Sequence, residues 1–136
     1  MPGGKIVNGC VRVADLSKEA LLLAECLSDL ERAVLLAMHT TNRDDGFPSP
    51  DEVEVLRREN TGGGRYVDLS TTDLPRRPLT ESMLLNVLIE MEGLPNGLQA
   101  FGWLESGRLV QLEFCVIGRV SWDGVERPWR IVSVGL

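Results

Sequence analysis

A single histidine, His39, and three cysteines, Cys10, Cys26 and Cys115, are the only imidazole and thiol ligands for a metal in this chain of 136 residues. No C-x-x-C pair occurs, and the cysteine spacings are unrelated to one another or to His39. Neither a zinc site nor a disulfide framework is therefore expected, and free thiols are. Long hydrophobic runs are also missing. Apolar stretches such as Ala20 to Ala24 are far too short to cross a bilayer. The opening Met1-Pro2-Gly3-Gly4-Lys5 has no apolar core of the signal-peptide kind. Positive charge is scarce, with 14 Lys and Arg against 20 Asp and Glu, a net charge of −6. That balance disfavours whole-surface attraction to nucleic acid or anionic lipid. A cytoplasmic protein follows as the expectation, with no cofactor, metal, membrane or nucleic-acid partner. All basic residues except Lys5 and Lys18 are arginine, a usage that goes with a GC-rich bacterial genome.

What is present is globular. Hydrophobic residues make up 43% and charged residues 25%, and the length suits one domain, 1–136, with its own core. Between about 18 and 39, Leu16, Ala20, Leu23, Leu27, Leu30, Val34 and Ala37 recur at helical spacing. Ser28 and Glu31 have the spacing of a capping box, so the segment is either one long helix or two with a break near Ser28. A second apolar row, Leu22, Cys26, Ala33 and Leu36, widens the face. This girth predicts packing on two sides, and with it a homodimer formed through the 18–39 region.

Alternation of apolar and polar residues on both sides of Thr61-Gly62-Gly63-Gly64 predicts a hairpin of strands 52–59 and 65–70. Thr80, the pair Leu79 and Leu84, and the stop signals Gly93 and Pro95 predict a helix over about 81–92. Strands 98–105 and 108–117 flank the two-residue turn Ser106-Gly107, Asp123-Gly124 makes a further turn, and Trp129 to Val134 form a last strand. Residues 5–13 read as a short strand or a poorly paired arm, weakened by Gly9. The fold class is α+β, a mostly antiparallel sheet of hairpins packed against two or three helices.

The run Arg58-Glu59-Asn60-Thr61-Gly62-Gly63-Gly64-Arg65-Tyr66, with Ser106-Gly107-Arg108-Leu109 leading to Leu112-Glu113 further along the chain, resembles a family of small bacterial proteins of unassigned function. Their pattern is Arg-Glu-x-Thr-Gly-x-Gly with an aromatic nearby. The resemblance spans roughly 53–114. It departs in placing Arg65 before the aromatic and Phe114-Cys115 after Leu-Glu. It implies a strand-turn-strand unit for 53–69 and carries no function with it.

Candidate ligand-binding residues are Arg58, Glu59, Thr61, Gly62, Gly64, Arg65, Tyr66, Glu113 and Trp122. Successive amides of the glycine run form an anion nest in some loops, and the flanking arginines would suit an anion. The competing reading is a hairpin turn whose glycines supply positive φ, with arginines paired to nearby carboxylates. No Gly-Lys-Ser/Thr comes after the run, so it is not a P-loop. Segment 57–77 holds five arginines against Glu59, Asp68 and Asp73, or +2, leaving −8 for the rest of the −6 total. A winged-helix reading fails because Asp51, Glu52, Glu54 and Glu59 outnumber Arg57 and Arg58 where a basic helix is needed. Glu59 and Glu113 interrupt strand-like runs and are the carboxylates to inspect for acid-base work, yet no positioned nucleophile accompanies them. His39, near a helix end, fits the dipole better than a catalytic role. No catalytic residue is assigned. Of the tryptophans 103, 122 and 129, Trp122 beside the Asp123-Gly124 turn is expected to be the exposed one. The function expected is that of a non-catalytic interaction or regulatory protein with a protein partner or a second copy of itself. The alternative is a small-ligand or anion-binding protein that uses the Thr61–Tyr66 hairpin and the sheet aromatics.

Overall fold

The computed structural model describes residues 6–7, 10–11, 26–71, 78–80 and 83–135. Two short strands, β1 (Ile6–Val7) and β2 (Cys10–Val11), pair antiparallel. One α-helix, α1 (Asp29–Thr41), comes next, then 3-10 turns at Arg43–Asp45 and Pro50–Glu52. The remainder is a six-stranded sheet: β3 (Val53–Asn60), β4 (Gly64–Thr71), β5 (Asn86–Met91), β6 (Leu94–Glu105), β7 (Arg108–Val116) and β8 (Trp129–Val134). Its spatial order is β3-β4-β7-β6-β5-β8, and every pairing is antiparallel. The α+β class read from the sequence is the one observed.

The helix starts where the capping box predicts. The Ser28 side chain accepts from Glu31 N, and the Glu31 carboxylate accepts from Ser28 N. A single helix running unbroken through Ser28 is therefore excluded, and positions 18–25, where a first helix is expected, lie outside the described residues. Leu30, Val34, Leu35 and Met38 are buried against the inner face of the sheet, made of Val53, Val67, Ile89, Ala100, Leu112 and Phe114 among others. Of the second apolar row, Ala33 and Cys26 are half-buried and Leu36 is exposed.

The helix expected over 81–92 is not there. Residues 86–91 form β5, and the 92–93 pair is a hairpin turn with Gly93 at φ +89°. Leu84, Val87, Leu88 and Met91 do repeat at helical spacing, but Val87, Ile89 and Met91 alternate equally well and are the buried set. The β-branched pair Val87 and Ile89 favours the strand. Gly93 serves a hairpin rather than a helix stop. Upstream, buried Asn42 holds residue 84 in an extended connection. Its Nδ2 donates to the carbonyls of Met38 and Leu84, and its Oδ1 accepts from Leu84 N.

The hairpins around Gly62–Gly63 and Ser106-Gly107 form as expected. Ser106 and Gly107 both have positive φ, 52° and 77°, the backbone of a twisted two-residue turn. Beyond that turn the β6–β7 register shifts between Trp103 and Leu104 and leaves Val110 as the extra residue on β7. The bulge brings Leu109 to the core side with Leu112 and Phe114, where simple alternation places it opposite them. Both edge strands are bulged too, β3 at Leu56 and β8 at Val132, and both side chains are exposed. Such bulges blunt edge-to-edge pairing.

Candidate binding face

Strand alternation divides the residues nominated from the sequence between the two faces of the sheet. Arg58 and Arg65 point inward, under the N-terminus of α1. Arg58 Nε and Nη2 donate to the two oxygens of Glu31 at 2.7 and 2.6 Å, and Nη2 also reaches Cys26 O. Arg65 is 4% exposed, and its Nη1 donates to both Glu31 Oε2 (3.0 Å) and Glu126 Oε2 (2.6 Å). Its Nε donates to Asn60 Oδ1 and its Nη2 to Gly124 O. Glu126 in turn accepts from Leu30 N in the first turn of the helix, where a carboxylate also meets the positive end of the dipole. Glu31, with no exposed surface, is thus neutralised by two guanidiniums, which is what a charge buried this deeply requires.

Trp122 belongs to this inner network and is not exposed: 2% of its surface remains in contact with solvent. Arg65 stacks on its ring at 4.7 Å, its indole N–H donates to Val125 O, and its backbone N–H donates to Gly62 O. Proximity to a turn suggests a loop tip, but long-range contacts fold the 117–128 segment back over Arg65.

The glycine turn behaves as a hairpin closure. Thr61 N donates to Gly64 O, Gly62 has φ +86°, and the carbonyls of Gly62 and Gly63 accept from Trp122 N and Val116 N. Thr61 and Gly62 are exposed, while Gly64 is buried so tightly that a Cβ there would collide with the Phe114 carbonyl. The two neighbouring arginines that an anion would need are already committed to Glu31 and Glu126.

The remaining nominees, Glu59, Tyr66 and Glu113, lie on the outer face. Direct cross-strand pairs run Glu59–Tyr66, Tyr66–Glu113, Glu113–Phe101 and Phe101–Asn86. The adjacent row runs Arg57–Asp68–Gln111–Trp103. Glu113 sits at the middle of this surface. Its Oε1 accepts from the indole of Trp103, one strand away on the diagonal, at 2.9 Å. Its Oε2 accepts from the Cys115 thiol at 3.2 Å, and the Tyr66 phenol stands beside the same carboxylate as its direct cross-strand neighbour. Trp103 is 51% exposed and Tyr66 38%. A groove of about 300 Å³ opens beside Trp103, where β6 runs on past the start of β5, lined by Leu85, Asn86, Phe101 and Leu104 among others.

The electrostatics of the cluster derive from Glu113. Its charge, then partial burial and the hydrogen bond to it, raise the Tyr66 phenol above its ordinary value. Burial first, then the hydrogen bond to Glu113 and its charge, push the Cys115 thiol up to about 11. A thiol held protonated is a poor nucleophile, so the cluster is not built for thiolate chemistry. Cys115 is a free thiol, as expected, and Cys10 has no described side chain. His39 lies in the last turn of α1 with Nδ1 2.7 Å from Phe47 O; a carbonyl only accepts, so this nitrogen carries the hydrogen and the role is structural. Among the described residues no group of three or more His, Cys, Asp or Glu is placed to hold a metal, and no helix is long and apolar enough to cross a membrane.

Trp103 and Phe101 are among the sheet aromatics that the sequence offers as lining a pocket or an interface, whereas Cys115 is read there only as a free thiol. What gathers them around Glu113 is the Val110 bulge, which sets Glu113 opposite Phe101. No family model, curated protein or solved structure matches this chain.

Proposed function

We propose that the chain is a non-catalytic protein-interaction module of a bacterial cytosol, and that the outer face of its sheet receives the partner. The supporting observation is the pair of exposed aromatics, Trp103 and Tyr66, bracketing Glu113 on a six-stranded sheet. Large aromatics with few torsions to freeze, set on a rigid scaffold around one oriented polar group, are the usual anchors of protein interfaces. The face carries Glu59, Asp68 and Glu113 against Arg57, so it is net acidic and suits a basic partner surface. The anion-binding alternative is weaker, because Arg58 and Arg65 spend their donors on Glu31 and Glu126.

Site-specific photo-crosslinking tests this reading. A benzophenone side chain at Phe101, on the outer face, should yield one discrete protein adduct in cells. The same group at Leu36, exposed on α1, should not. No adduct from position 101, or adducts from both positions alike, would remove the outer face as the interface.

A further inference from the structure

We propose that the partner inserts an arginine side chain between Trp103 and Tyr66, with its guanidinium on the carboxylate of Glu113. This deepens the interface reading above and rests on it.

Glu113 is the carboxylate at the centre of the aromatic cluster, and its neighbours there are already paired. Arg57 is committed to Glu59 at 2.6 Å and lies 3.8 Å from Asp68, so those two carboxylates share a local cation. Arg130 pairs with Glu90, Arg127 with Asp123, and Arg58 and Arg65 with Glu31 and Glu126. No ion pair among the described residues reaches Glu113. What holds it instead are two neutral donors, an indole and a thiol, with the Tyr66 phenol as cross-strand neighbour. These fix the carboxylate in place and leave its charge uncompensated. A carboxylate has about four acceptor positions, so capacity remains on the solvent side.

Shape narrows the choice of cation. A group approaching that open position meets the half-exposed ring of Trp103 on one side and the phenol of Tyr66 on the other. Arginine fits better than lysine, since a planar, weakly hydrated guanidinium stacks on a ring while donating in its own plane. The inner face shows an arginine of this molecule stacking on a tryptophan and pairing with a glutamate at once. There Arg65 lies over Trp122 at 4.7 Å while it donates to Glu126 at 2.6 Å. The outer face repeats the tryptophan and the glutamate and lacks the arginine. The groove beside Trp103, lined by Leu85 and Leu104, would take an apolar residue flanking that arginine.

The probe is N-acetyl-arginine methylamide, titrated into the full chain while the Trp103 indole N–H resonance is tracked, its assignment set by Trp103→Phe. A saturable shift in the millimolar range is expected, with the lysine analogue weaker and the norleucine analogue silent. Glu113→Gln should weaken the arginine response roughly tenfold, equivalent to about 1.4 kcal/mol, while Glu90→Gln, near the far end of β5 and paired with Arg130, should leave it unchanged. Retained amide spectra in each variant establish that the fold is intact. No saturable shift, or an equal shift in Glu113→Gln, overturns the proposal. Tighter binding of free arginine than of the blocked form also overturns it, in favour of a small-molecule ligand. The two readings fail separately. If the crosslink from position 101 persists while the arginine probe is silent, the interface stands and the arginine assignment falls. If the crosslink is absent, the interface itself falls.

Discussion

Arg65→Met is the perturbation that most sharply tests how the fold is held together. Arg65 is 4% exposed, and its guanidinium donates four hydrogen bonds, two of them to carboxylates, besides covering the Trp122 ring. Methionine keeps much of the apolar stem and removes the charge. Glu31 would retain the bidentate grip of Arg58, but Glu126, with 17% of its side chain exposed, would lose its cation. Breaking a buried pair by removing one partner costs about 3–5 kcal/mol, a large share of the roughly 5–15 kcal/mol that stabilises a domain. Arg58→Met should cost less, about 1–3 kcal/mol, because Arg58 is 20% exposed and Glu31 keeps Arg65. Urea unfolding with an unchanged m-value is the assay. Adding Glu126→Gln to Arg65→Met should recover about 0.5–3 kcal/mol relative to additivity, since the orphaned charge is gone. A loss below about 1 kcal/mol for Arg65→Met, with no coupling, would mean that the network behaves as a set of surface pairs, which refutes the buried-network assignment.

Three further outcomes rest on the same geometry. Gly64→Ala should destabilise by roughly 3 kcal/mol or more, because the added methyl meets the Phe114 carbonyl and strands β4 and β7 must part; the urea midpoint reads it. Trp122→Phe should cost about 2 kcal/mol by losing the bond to Val125 O and part of the Arg65 stack, measured by thermal unfolding. Cys115 has a folded value raised to about 11, so its neutral form is favoured by folding. The stability it contributes is whole below the unfolded thiol value and is lost as pH rises from about 8.5 towards about 11. Iodoacetamide labelling of the folded protein at Cys115 should be slow at pH 8 and faster in Glu113→Gln; equal rates would refute the role given to Glu113.

The architecture is legible wherever local signals are redundant. Ser28 with Glu31, the glycine run at 61–64 and Ser106-Gly107 each mark a boundary by chemistry that permits little else, and each forms. Segment 81–92 misleads because its apolar residues satisfy both periods, and the deciding information, the bond of Asn42 to residue 84, lies 42 positions away. The candidate site divides for a similar reason. Spacing brings Arg58, Glu59, Arg65 and Tyr66 together in sequence, and strand alternation then sends the arginines to one face and their neighbours to the other. A tight Ser106-Gly107 turn without a bulge would set Glu113 opposite Ala100, on the core side. The extra residue at Val110 turns it outward to Phe101 and Trp103, and nothing in the local sequence marks that residue. Trp122 is buried against local expectation because its cover, Arg65, is 57 residues upstream.

The outer face as the partner's seat is the central claim, and oxidative footprinting of Trp103 is its most direct test. With the protein captured by crosslinking at position 101 prepared as the purified partner, hydroxyl-radical modification of Trp103 and Tyr66 should fall several-fold on complex formation. Leu36 on α1 and Leu56 on the β3 edge, both exposed in the free chain, should be modified at unchanged rates. Unchanged modification of Trp103, with protection at Leu36 or Leu56 instead, would contradict the claim.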